Sequence, residues 1–137
     1  MGKILAVLCV FVVTYLAFTA DWRRSGGHNR RTQACSQLDA FATALGEYRS
    51  DTGHYPTTAQ GLSALRVAPV GEAAWRGPYL QREIPLDPWA YPFVYRSPGE
   101  HSEPFEIVSY GPDNRAGGDG FGADIQYSCT VARRVFP

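Results

Sequence analysis

Net charge is the first thing this sequence lacks: thirteen Lys and Arg balance thirteen Asp and Glu. Beyond residue 20, twelve arginines stand against thirteen carboxylates. No field of one sign exists to hold nucleic acid or steer an acidic ligand, which argues against nucleic-acid binding. Cysteine is scarce, with three in the chain, and no Cys-x-x-Cys or Cys/His spacing of a zinc site occurs. There is no Gly-x-Ser-x-Gly elbow or other local signature of a nucleophile held against a base. The three histidines are dispersed: His28 in a glycine linker, His54 past a helix end, His101 in a charged turn. Glu100, Glu103 and Glu106 lie in a solvated turn, without the opposed environments an acid/base pair needs. Internal repeats and low-complexity tracts are also missing. The sequence makes no positive case for an enzyme.

A long charge-free run is present at the amino terminus. Ile4 to Ala20 contains no charged residue, and at ~1.5 Å per residue such a helix is about 26 Å long, near the lower limit for crossing a bilayer. A retained anchor and a cleaved signal are the two readings. A cut after Ala20 would place bulky Phe18 where the peptidase wants a small residue, which favours the anchor. Lys3 stands against Arg23, Arg24, Arg30 and Arg31 across this segment, and the positive-inside rule alone would leave the main domain in the cytoplasm. Cysteine usage points the other way. Cys35 and Cys129 lie at opposite ends of the soluble part, where they either staple it in an oxidising compartment or remain two free structural thiols; Cys9 reads as a small hydrophobe within the apolar run. The organisation expected is an anchor over 1–24, a Gly-rich linker over 25–30 and a domain over 31–137.

Residues 25–29 act as a breaker ahead of that domain, and a helical pattern begins at Arg31. Cys35, Leu38, Phe41, Ala42, Leu45 and Tyr48 fall on one face, and Gly53 is the expected stop. Thr57-Thr-Ala-Gln60 has the form of a capping box opening a short helix to about Arg66, with Leu62 and Leu65 inward. Phe93-Val-Tyr95 and Phe105-Glu-Ile-Val108 read as strands joined through Ser97-Pro-Gly-Glu100. Asp87-Pro88-Trp89 reads as a turn that brings an indole onto the sheet. The fold class is α+β: a helix across a small antiparallel sheet, with a Gly/Asp-rich loop beyond the last long strand.

That loop is the most informative stretch. In residues 104–125 an alternating apolar run breaks into glycines and three carboxylates, Asp113, Asp119 and Asp124. Glycine-rich backbone that keeps its carboxylates suits a hard cation, and calcium takes six to eight oxygens from carboxylates and carbonyls. The spacing is not an EF-hand: with Asp113 at position 1, Arg115 and Gly117 fill positions 3 and 5, where oxygen ligands belong. An ordinary solvated turn remains the other reading, since Gly, Asn and Asp fill turns without metal.

The succession Tyr55-Pro-Thr-Thr-Ala-Gln-Gly-Leu62, Gly77-Pro-Tyr-Leu80, Pro85-Leu-Asp-Pro-Trp89, Tyr91-Pro92, Tyr95, Ser97-Pro-Gly-Glu-His101 and the Gly/Asp loop resembles the major pseudopilin of bacterial type II secretion systems, from about Leu38 to Ile125. The resemblance implies a periplasmic α+β domain on a single-pass inner-membrane helix, here over residues 4–20. It implies assembly with other pseudopilin subunits and inner-membrane secretion components into a short filament that helps export folded proteins. It also implies a structural calcium, with Asp113 and Asp124 as side-chain ligands, the Tyr110 carbonyl as a backbone ligand, and Asp119 as a further acidic candidate. Gly122 stands where family members commonly carry an acidic or amide residue. The amino terminus departs from the family: Gly2 is followed by Lys3, the fifth position after Gly2 is Val7, and no acidic residue precedes Asp21. The alternative is therefore a membrane-tethered, calcium-stabilised binding module of the cell envelope that does not polymerise.

Overall fold

The computed structural model describes residues 29–101 and 103–127. The chain divides into two units, residues 1–30 and 31–137; the second holds the sheet and nearly all of the helix. The expected anchor, Cys9, His28 and Cys129 lie outside the described residues. Among the described residues no helix is long and apolar enough to cross a membrane.

Helix α1 covers residues 29–52. Asn29 and Arg30, assigned from sequence to the breaker and linker, are already helical, because Asn costs a helix only about 0.7 kcal/mol relative to Ala. The buried face is Ala34, Leu38, Phe41, Ala44, Leu45 and Tyr48, the spacing of three and four that keeps side chains on one stripe. Ala34 and Ala44 are additions to the expected face. Cys35 is half-buried against the core, and Ala42 is half-buried at its margin. Gly53 ends the helix in the left-handed region at φ 86°, with its N–H donating to the Arg49 carbonyl at 2.8 Å.

The capping box forms as a reciprocal pair: Thr57 N–H donates to Gln60 Oε1 at 2.8 Å, and Gln60 N–H to Thr57 Oγ1 at 3.2 Å. It opens turns rather than an α-helix, and only Leu62–Leu65 forms a 3-10 helix. Four residues suffice to bury Leu62 and Leu65. Trp75 then closes over this segment, its indole N–H donating to the Ala64 carbonyl at 2.9 Å. Its ring meets Tyr79 edge-on at 5.6 Å, and Tyr79 in turn meets Tyr48 at 5.7 Å.

The sheet has strands β1 (Val94–Arg96), β2 (Glu106–Ser109) and β3 (Ile125–Gln126), in the order β1-β2-β3. Both pairings are antiparallel, with Tyr95 opposite Ile107 and Ser109 opposite Ile125. The short third strand, two residues long, had no periodicity by which to be recognised. Tyr95, Ile107 and Ile125 enter the same core as the α1 stripe, and Phe41 meets Phe93 edge-on at 5.1 Å. The turn before β1 brings Trp89 against that core.

Ala90, in that turn, has φ 69°, where an L side chain crowds the following carbonyl at roughly 1–2 kcal/mol. Ala90→Gly removes the crowding but adds freedom to the unfolded chain. Relief of the crowding outweighs the added freedom, and denaturant melts are expected to show about 0.5–1 kcal/mol of added stability. A destabilised glycine variant would contradict the strain.

Candidate functional site

The turn over residues 85–91 holds Asp87, which is 4% exposed. A carboxylate that deep needs hydrogen bonds. Its Oδ1 accepts the Trp89 N–H at 3.0 Å and the Tyr91 N–H at 2.8 Å. Its Oδ2 accepts the Ser109 hydroxyl at 2.5 Å. Ser109 closes β2, and its Oγ accepts the Gly111 N–H at 3.2 Å. One carboxylate thus ties the turn to the end of a strand and to the first residues of the Gly/Asp loop.

The loop leaves the sheet after Ser109 and returns at Ile125, the residue paired with Ser109, so its two ends are held side by side. Between them, Gly111–Asp113 and Gly120–Gly122 form single 3-10 turns that contact each other. Gly118, at φ 88°, allows the closest approach: a Cβ there would lie 2.6 Å from the Gly122 carbonyl oxygen. Only glycine fits that position without displacing backbone.

Asp113 ends the first of these turns, and Asp124 lies two residues beyond the second, just before β3. Asp124 Oδ2 accepts the Gly117 N–H at 2.9 Å, and its Oδ1 is buried without a partner among the described residues. Asp113 Oδ1 accepts the Arg115 N–H at 3.3 Å, and Oδ2 lies 3.6 Å from where a Gly122 Cβ would stand. A side chain at position 122 would therefore face the Asp113 carboxylate. Asp119 is exposed, and its carbonyl accepts the Gly122 N–H at 3.0 Å. The Tyr110 hydroxyl is turned to Arg96, whose Nη2 donates to it at 3.3 Å. Among the described residues no three His, Cys, Asp or Glu side chains gather as a metal-holding group. Two carboxylates and the surrounding backbone carbonyls are what the loop offers a cation.

These residues fit a calcium ion. A buried oxygen without a partner costs about 1–3 kcal/mol, and a cation at Asp124 Oδ1 would remove that penalty while drawing on carbonyls that the glycines leave free to turn.

Three supports were not foreseen as part of the site. Asp87 reads as a turn residue, since nothing local shows that its carboxylate reaches Ser109. Ser109 is one more small residue at a strand end. Arg31, on the first described turns of α1, donates from Nη1 to the Ala123 carbonyl at 2.8 Å.

Next to the site, Arg96 bonds Glu106 at 3.2 Å and Glu100 at 2.7 Å. The hydrogen bond to Glu106, with that to Tyr110 second, raises the guanidinium pKa further. On the core side of β1, burial pushes the Tyr95 phenol up to about 12, and its hydroxyl donates to the Pro56 carbonyl at 2.8 Å. An unfolded tyrosine ionises near 10, so this contribution is intact below pH 10 and disappears as pH rises toward 12. Unfolding in alkali is expected across that window, with tyrosinate absorbance rising together with the loss of structure. Ionisation of all tyrosines near pH 10 with the fold intact would contradict it.

A family model described as type II secretion system, protein G, matches residues 24–128. The chain belongs to that family. It is 34% identical over 125 residues to the type II secretion system core protein G of Pseudomonas aeruginosa, covering 89% of this chain and 83% of that protein. The core protein G of Vibrio cholerae is 35% identical over 127 residues, covering 89% and 80%. Among solved structures, the major pseudopilin from the type 2 secretion system of enterohaemorrhagic Escherichia coli matches with a TM-score of 0.61 at 34% identity, over 72% of this chain and 86% of that one. The helix packed on a small antiparallel sheet is the pseudopilin fold. The role of this protein G homologue is structural, within the secretion pseudopilus, and not enzymatic.

Proposed function

We propose that this protein G homologue is a calcium-stabilised subunit carried on a single inner-membrane helix with its domain in the periplasm, where it packs with other pseudopilin subunits and inner-membrane components. The family match across 24–128 carries this reading. The loop supports the calcium part through Asp113 on one turn and the partnerless Asp124 oxygen on the other arm. Tyr110 contributes through its carbonyl, and Asp119 is the outer carboxylate.

The amino terminus favours a second reading. Gly26-Gly27 follows the apolar run, a break suited to a tethered module beside the filament. Deletion and overproduction separate the two. A filament subunit is expected to block export when deleted, and to give surface fibres containing this chain when overproduced. Export unaffected by deletion, with no fibres, would overturn the filament reading, and retention in the inner membrane would then favour the tether.

Cys35 is half-buried against the core on α1, where this reading places one end of a disulfide. Cys129 is the partner this reading requires, tying α1 to the tail after β3; closing so long a loop stabilises typical domains by about 2–4 kcal/mol. Peptide mapping without reductant is expected to recover the 35–129 pair. Recovery of a 9–35 pair, or of free thiols in periplasmic protein, would count against it.

A further inference from the structure

We infer that Arg31 is a positioning residue for calcium, coupling the state of the loop to the amino-terminal part of α1; this rests on the calcium reading of the loop. Arg31 Nη1 and the Ala123 carbonyl are 2.8 Å apart although 92 residues separate them in sequence. Ala123 immediately precedes Asp124, and its backbone is extended, at φ −65° and ψ 139°. A fixed carbonyl at 123 therefore fixes the peptide from which the Asp124 side chain projects. Asp124 is also the residue with one carboxylate oxygen on Gly117 and the other buried without a partner among the described residues.

The two arms of the loop are held by different means. The Gly111 arm is tied through Ser109 to buried Asp87, within the sheet and its neighbouring turn. The Ala123 arm takes its side-chain support from the helix. Where ion binding needs both arms in place, whatever holds the second arm shares in the binding free energy, and by linkage the ion strengthens the Arg31 contact in return.

Two effects of the guanidinium oppose each other. Its charge repels a nearby cation, and its hydrogen bond removes disorder from the arm that supplies Asp124. The charge is partly exposed to solvent, so the high dielectric of water weakens its repulsion. The hydrogen bond is charge-assisted and local, the stronger kind. Ordering is therefore the larger effect, and loss of Arg31 weakens calcium binding.

The test is calcium titration by calorimetry on the full chain in detergent, for the unmodified protein, Arg31→Ala, Arg31→Gln and Arg49→Ala. Arg49 lies near the other end of α1 and bonds the Tyr55 hydroxyl, so its removal deletes the same charge without touching the loop. Arg31→Ala and Arg31→Gln are expected to bind calcium roughly fivefold more weakly, the lower end of ordinary coupling between sites, while Arg49→Ala binds as the unmodified chain does. A purely structural Arg31 would lower the melting temperature equally in calcium and in chelator; the coupling predicts a larger drop in calcium. In the unmodified chain, calcium should slow amide exchange over residues 31–37, a readout independent of how any variant folds. Unchanged or tighter calcium binding in both Arg31 variants would overturn the inference, as would calcium-insensitive exchange over 31–37 in a chain that does bind the ion. Absence of any calcium response in the unmodified chain would remove the calcium reading itself and the inference with it.

Discussion

Replacing Asp87 with alanine is expected to destabilise the domain by about 3–4 kcal/mol, because the change strips a buried site of both acceptor oxygens at once. Three donors lose their partner: the Trp89 and Tyr91 amides and the Ser109 hydroxyl. An unsatisfied buried donor costs about 1–3 kcal/mol. Trp89 and Tyr91 are only half-buried, so water recovers part of their loss, whereas Ser109 is fully enclosed. For a domain of this size 1 kcal/mol shifts the melting temperature by about 4–8 °C, which places the expected fall near 15 °C. Asp87→Asn keeps the shape but turns a donor toward donors, and about 2 kcal/mol is expected. Ser109→Ala should cost less than either, since the carboxylate keeps its two amides. A double-mutant cycle between Asp87 and Ser109 is expected to be non-additive. An Asp87→Ala variant melting within a few degrees of the parent would show that water replaces the carboxylate and that the turn is held by its backbone bonds.

Asp87 also shows where reading the sequence reached its limit. The α1 stripe, the Gly53 stop and the two longer strands were legible because each is a local pattern with a fixed period or a single special residue. The capping pair was legible too, down to the reciprocal Thr57 and Gln60 bonds, but the length of what followed was not, because Gly61 at φ 60° breaks the run that would have extended it. Contacts across the fold leave no local trace. Nothing around Asp87 distinguishes a carboxylate buried on Ser109 from one in a solvated turn, and nothing around Arg31 marks a guanidinium that meets the Ala123 carbonyl. The glycine and aspartate of the loop were visible as composition, while the supports of both its arms became visible only with the chain folded.

Withdrawing calcium is expected to lower stability by about 2.7 kcal/mol where the free ion stands a hundredfold above its dissociation constant, since an ion that binds only the folded form stabilises by RT ln(1 + [L]/Kd). Without the ion, the segment from Gly111 to Asp124 must be ordered by few contacts, although Gly117, Gly118 and Gly120 all lie at positive φ and glycine loses the most freedom on ordering. The two main carboxylates should separate in behaviour. Asp113→Ala removes a ligand and only a weak 3.3 Å bond to the Arg115 amide, so in chelator it should melt with the parent, and in calcium it should melt well below. Asp124→Ala removes a ligand, the 2.9 Å brace to Gly117 and the partnerless oxygen. In chelator the relieved oxygen offsets the lost bond and the variant should melt at or above the parent, whereas in calcium it should melt well below. Asp119 is exposed, and Asp119→Ala should show the smallest calcium-dependent change of the three. Magnesium is expected to substitute poorly, because it demands a tight octahedron and surrenders water reluctantly. Melting of the full chain in calcium, magnesium and chelator, for the parent and the three variants, measures all of this together. Equal melting temperatures for the parent in all three solutions would show that Asp113, Asp119 and Asp124 line an ordinary turn, and that Asp124 Oδ1 is satisfied by water instead of a cation.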